Sequence, residues 1–210
     1  MTNPPADDTA RATAAGLPLD QAALAQLFTE ARTHSVWADR PVAPDLLQRL
    51  AALVMLGPTA TNQEPFRVVF VQSPEAKARL VDCVSPGNRV KTAAAPVTAI
   101  LCCDPAFWRY LPELRPGADI SARFRDNPAL AEEGARFNGT LQAGYFIIAA
   151  RALGLDCGPM GGFDAAKVTE AFLQPQGWLP LLLVNLGHGD PAALAPRAPR
   201  LDFARMAQVV

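Results

Sequence analysis

The 210 residues suit one compact domain, and with half of them hydrophobic and 19% charged the composition is that of a globular chain rather than a disordered one. A formal net charge of −1, with no run of Lys and Arg, gives no footing for a nucleic-acid surface. No apolar stretch approaches the roughly 20 residues that span a bilayer, and Met1 to Gly16 lack the basic-then-apolar order of a secretion signal. The expectation is a cytoplasmic protein with no nucleic-acid or membrane partner. Residues 1–18 read as a flexible arm and 19–210 as a single domain.

Leu19 to Arg32 places Ala23, Leu24, Leu27 and Phe28 at helical spacing and predicts the first helix. A second begins at Pro44-Asp45, carries a buried stripe of Leu46, Leu47, Leu50, Leu53 and Val54, and stops at Gly57-Pro58. Phe66 to Gln72 reads as a buried strand, and Ser73-Pro74-Glu75 opens a short helix. Pro96 to Cys103 is a second strand. Asp104 to Asn127, with three prolines and the aromatics Phe107, Trp108, Tyr110 and Phe124, is irregular. It is either a lid or partner-binding excursion, or a short helical insertion packed on its own subunit. Pro128 to Leu153 is the longest helix, and the all-round apolar run Tyr145 to Ala150 predicts burial on every side. Gly139, Ala143 and Gly144 would let it approach another helix closely, one from a second subunit included. Leu179 to Leu186 is a central strand by its unbroken apolar character. Pro191, Pro196 and Pro199 then hold the tail extended before a short helix near Asp202.

Some chemistries drop out early. Cys83, Cys102, Cys103 and Cys157 form no C-x-x-C pair and read as small buried hydrophobes. There are two histidines, His34 and His188, no H-E-x-x-H and no G-x-S-x-G, so zinc hydrolysis and acyl transfer by those routes have no support.

What remains lies in five segments. Gly154 to Asp164 reads as a turn between helices. Its Gly158, Gly161 and Gly162 would let the main chain approach a flat ligand, and Asp164 would cap the next helix. A plain tight loop is the competing reading. Arg32-Thr33-His34-Ser35 offers a forked guanidinium and hydroxyls suited to a phosphate, or else a solvated helix end. Pro58-Thr59-Ala60-Thr61-Asn62-Gln63-Glu64-Pro65-Phe66 is a stiff polar loop entering a strand. Asn88 and Lys91 share a helix face. Arg197-Ala198-Pro199-Arg200-Leu201 places two further guanidinia on a proline-stiffened arm, or on a solvated basic tail.

Taken in chain order, the five segments resemble the FMN-dependent nitroreductase family, over essentially the whole chain from about Leu19. Within it, Ala31-Arg32-Thr33-His34, Ala95-Pro96-Val97-Thr98-Ala99-Ile100 and Arg151-Ala152-Leu153-Gly154-Leu155-Asp156 are most similar to the branch that includes the malonic semialdehyde reductase of pyrimidine degradation. The resemblance implies an α+β fold, a mixed and mainly antiparallel central sheet flanked by helices, in an intertwined homodimer with FMN at the interface. It implies that Arg32, Thr33 and His34 bind the cofactor with Arg200, the phosphate lying at the arginines. Thr59, Ala60, Thr61 and Asn62 would face the flavin across the dimer. Asn88 and Lys91 would meet its pyrimidine end, and Pro159, Met160, Gly161 and Gly162 would run under the ring, with a main-chain N–H, that of Gly161, aimed at N5. Three positions depart from the family pattern: Ser35, where a basic residue is commoner; Glu64, where Gln is usual; and Gly161, where many relatives have Glu. The implied activity is ping-pong hydride transfer from NADH or NADPH to a small acceptor, malonic semialdehyde or a nitro or quinone compound, with no side-chain general acid assigned. A flavin carrier or sensor without turnover is the rival.

Overall fold

The computed structural model describes residues 16–117 and 119–210, so most of the expected N-terminal arm lies outside the described residues. Four antiparallel strands form the sheet: β1 (Phe66–Val71), β2 (Val97–Cys103), β3 (Asp156–Met160) and β4 (Leu179–Gly187), in the spatial order β1-β2-β4-β3. β2 is buried along its whole length and β4 from Leu183 to Gly187, which is why these two strands are apolar but for the hydrogen-bonded pair Thr98 and Asn185.

Strand alternation sorts β2 between two layers. Val97, Ala99 and Leu101 face one side, where they meet α2 (Pro44–Val54) and α7 (Pro128–Ala152) through Leu50, Val54, Phe146 and Ala150. Ile100 and Cys102 face the other, against α3 (Pro74–Val81) and α8 (Ala165–Val168, continued by a π turn, Thr169–Leu173) through Leu80, Val168 and Leu173. Pro44, Pro74 and Pro86 open α2, α3 and α4 (Pro86–Ala94) in the first turn, where a missing N–H costs nothing. Ser73, Asp164 and Asp202 cap α3, α8 and the short α9 (Phe203–Met206) with their side-chain oxygens.

Three expectations change, and one open choice closes. The first helix, α1 (Gln21–Leu24), runs into a π turn (Ala25–Thr29) and ends there rather than at Arg32. Arg32 to His34 is instead drawn out alongside β3. The segment read as a turn from Gly154 to Asp164 contains β3. Gly158 and Pro159 are weak strand formers, and pairing with β4 overrides that weakness. Residues 104–127 are the helical insertion rather than a lid: a 3-10 turn (Phe107–Tyr110), α5 (Leu111–Leu114) and α6 (Ser121–Arg125). Phe107 and Phe124 meet edge-to-face at 5.0 Å and pack on Ala131 and Ala135 of α7. Within Tyr145–Ala150 only Phe146 and Ala150 are buried, because one stripe of α7 meets the sheet. The four cysteines are free and buried, as expected. Among the described residues no helix is long and apolar enough to cross a membrane.

Candidate functional site

β3 joins two groups of residues that are far apart in sequence. At its start Thr33 pairs with Cys157, and the His34 N–H donates to the Cys157 carbonyl at 3.1 Å. This approach depends on Gly158, where an added Cβ would sit 2.5 Å from the His34 carbonyl oxygen. Gly158→Ala is therefore expected to destabilise the fold by about 2 kcal/mol or more, read as a lowered melting temperature. The His34 side chain is itself buried, with Nε2 3.5 Å from Asp156 Oδ1 and the ring against Gly189. It braces the segment from beneath.

The drawn-out segment delivers Arg32 and Thr33 to a cavity of about 400 Å³, lined also by Phe28, Ala31, Arg151, Arg197, Ala198 and Arg200. Arg197 ties the tail to the end of the π turn by donating to the carbonyls of Thr29 (2.7 Å) and Ala31 (2.9 Å). Arg32 donates to the Ala195 carbonyl and Arg151 to that of Leu27. Arg200 donates only to its own tail, at Ala198 and Pro199. Among the described residues none of the four forms an ion pair, and Arg151 Nε is buried without a partner. Four guanidinia around one hollow, unpaired and with a donor left over, suit a doubly charged oxyanion such as a phosphate monoester.

At the far end of β3, about 13 Å along at strand rise, Met160 leads into a bend held by α4. The Gly162 carbonyl accepts from Ser85 N–H (3.0 Å) and from Asn88 Nδ2 (2.7 Å). Thr92 Oγ1 meets the Met160 sulfur at 3.6 Å. Asn88 thus clasps the bend, one turn before Lys91. Gly161 is exposed and a Cβ there would meet nothing within 4 Å, so its main chain presents an open surface.

The structure brings Arg32, Thr33, Arg200, Asn88, Lys91 and Pro159 to Gly162 along one strand. It does not bring Thr59, Ala60, Thr61 and Asn62 to them within the chain. That loop precedes β1, at the opposite edge of the sheet, with β2 and β4 between. Three non-glycine residues in it adopt left-handed conformations: Thr61 (φ 51°), Asn62 (φ 56°) and Glu64 (φ 42°). For β-branched Thr61 this is strain of about 1 kcal/mol or more, the kind functional loops retain. The loop is over-determined by its bonds. Ala60 N–H donates to Asn138 Oδ1 (2.8 Å), Asn138 Nδ2 to Gln63 Oε1 (2.8 Å), and Asn62 Nδ2 to the Leu114 carbonyl (2.8 Å). Burial pushes the Glu64 carboxyl up, partly offset by the Arg67 charge.

Arg151 and the Gln63–Asn138 pair were not foreseen in the sequence. Arg151 sits in the last turn of a helix, where a cation is ordinary, and Asn138 lies mid-helix with no local motif.

The chain belongs to the nitroreductase family: the model described as Nitroreductase family matches residues 29–188. A Leptothrix cholodnii protein named "Putative NADH dehydrogenase/NAD(P)H nitroreductase" is 58% identical over 88% of this chain and 94% of its own length. Among solved structures, a nitroreductase family protein from Streptococcus pneumoniae superposes with a TM-score of 0.73 at 21% identity, covering 88% of this chain and 98% of that one. One from Exiguobacterium sibiricum, described as a "putative nitroreductase in complex with FMN", gives a TM-score of 0.77 at 18% identity, covering 92% and 98%. The two structures share the fold of this chain.

Proposed function

We propose that this protein is an FMN-dependent NAD(P)H oxidoreductase acting as a homodimer in the cytoplasm. The observation that carries the reading is β3, which connects a carboxylate-free arginine cavity to an open main-chain bend. The names of its relatives and the FMN held by a fold neighbour support it. The residues fit the group: Arg32, Thr33 and Arg200, with Arg151 and Arg197, would hold the phosphate, and the main chain from Pro159 to Gly162 would lie along the ring. His34 contributes through its backbone hold on β3. Asn88 fixes the bend, and Lys91 supplies the cation at the pyrimidine edge. When bound, FMN supplies hydride exchange at N5, first with NADH or NADPH and then with an acceptor. The protein's part is to hold, orient and shield.

The exposed main chain at Gly161 gives a direct test. Gly161→Glu, the residue many relatives carry there, is expected to leave the fold intact, since a Cβ meets nothing within 4 Å, and to keep FMN affinity within about threefold, since the main chain rather than a side chain would meet the ring. A loss of about tenfold or more in calorimetry would take the main chain of this bend out of the site.

The Thr59–Asn62 loop would reach the flavin of a second copy. In support, Phe137 (68% exposed) and Leu141 on α7 and Leu53 and Leu56 by the end of α2 leave apolar surface uncovered in the single chain. Phe137→Asp should turn a dimer into a monomer in light scattering and take FMN binding with it. The four free thiols suit a reducing compartment.

The acceptor we favour is malonic semialdehyde, with nitro or quinone compounds as the runner-up. Anaerobic NADPH should bleach the yellow protein, and malonic semialdehyde should restore the colour faster than nitro or quinone acceptors. A yellow protein that NADH and NADPH both leave unbleached would instead be a carrier.

A further inference from the structure

Lys77 is 8% exposed, on the inner face of α3, and among the described residues no carboxylate pairs with it. Its own helix also carries Glu75 and Arg79. α4 brings only Arg89 and Lys91, and β1 only Arg67, which is paired with Asp104 at 3.1 Å. β2 and β4 bring no charged side chain. Burial alone pushes the Lys77 ammonium down to about 8. Its single bond is donated from Nζ to Thr98 Oγ1 at 2.9 Å. That hydroxyl donates to Asn185 Oδ1 at 2.7 Å, and Asn185 Nδ2 donates to the Lys91 carbonyl at 3.1 Å. The relay crosses the sheet along one register row, Thr98 opposite Asn185 and Asn185 opposite Gly158.

The end point gives the relay its meaning. The Lys91 carbonyl lies in the last turn of α4, where helical partners run out and where a positive donor is most favourable. The other end of α4 is fastened to Gly162 by Ser85 and Asn88. A cation at the head of a hydrogen-bond chain polarises every bond after it. The relay therefore tightens the second fastening of the helix that carries Lys91.

We propose that Lys77 is a positioning residue for the flavin site, setting the Lys91 turn of α4 through Thr98 and Asn185. The inference rests on the FMN reading above. Lys77 touches no ligand, so its effect is on how firmly the edge-facing helix is held.

The test is FMN affinity, by quenching of flavin fluorescence, measured from about pH 6.5 to about pH 9.5 on the wild type, Lys77→Met and Thr98→Val. Wild-type affinity should fall about three- to tenfold as the ammonium loses its proton near pH 8. Lys77→Met should be weak at neutral pH and lack that step. Thr98→Val keeps the lysine but cuts the relay, and should bind as Lys77→Met does. A merely structural lysine would lower melting temperature in the variant without removing a pH step. If Lys77→Met binds with the wild-type affinity and pH profile, the inference fails alone. If Lys77→Met does not fold, Thr98→Val decides by the same comparison. If the wild type does not take up FMN at all, the reading beneath falls and this inference with it.

Discussion

Arg200→Ala is expected to weaken FMN binding about 30-fold while leaving the FMN-free protein as stable as the wild type. Arg200 is exposed and bonds only to the carbonyls of Ala198 and Pro199 in its own tail, so the fold asks nothing of its guanidinium. Arg197 is different. Its two bonds to Thr29 and Ala31 fasten the tail to the end of the π turn, and its loss would confound anchoring with binding. Arg200 lines the cavity because Arg197 has already brought the tail there. Calorimetric titration reads the affinity and a thermal melt reads the fold. An Arg200→Ala protein with wild-type affinity would take the tail out of the phosphate site.

Lys77→Met is expected to raise the stability of the FMN-free protein at neutral pH by about 2 kcal/mol, because it removes a buried cation that has no anion beside it. The native state releases the Lys77 proton near pH 8, and the unfolded chain keeps it until about pH 10. Between those values the unfolded state binds more protons, so wild-type stability rises with pH there. The penalty is fully present below pH 8, and the advantage of the variant should shrink as pH climbs through that window. Urea unfolding at neutral pH and near pH 10 measures it. A variant less stable than wild type at neutral pH would mean that the lysine stem packs better than its charge costs. Greater stability with weaker FMN binding is the pattern expected of a residue kept for the site.

Much of the fold was legible because its signals are local. Pro44 and Ser73 mark helix starts, Asp164 and Asp202 cap as their types predict, and β2 and β4 show their burial in mostly apolar runs. β3 was not legible. Its sequence, Asp156-Cys157-Gly158-Pro159-Met160, is shaped by what approaches it, and Gly158 is there for the His34 carbonyl rather than for strand propensity. The site divides in the same way. Arg32, Asn88, Lys91, Gly161 and Arg200 stand in short motifs, and the structure gathers them along one strand. Arg151 stands in a stretch that carries a family likeness but no sign of a site, and Asn138 and Lys77 have no motif, because each is defined by a partner at least 20 residues away, such as Leu27, Ala60 or Thr98. The left-handed Thr61 belongs to neither group. Asn62 is a type that tolerates positive φ, but nothing in the sequence announces it at Thr61, where the bonds that Ala60 and Asn62 donate to Asn138 and Leu114 hold the loop.

The most direct measurement compares FMN with riboflavin on the wild-type protein, since the two differ only in the phosphate. Four guanidinia with no ion pair among the described residues predict that FMN binds at least about a hundredfold more tightly, with the gap narrowing in high salt. Equal affinity for the two, or no binding of either, would contradict it.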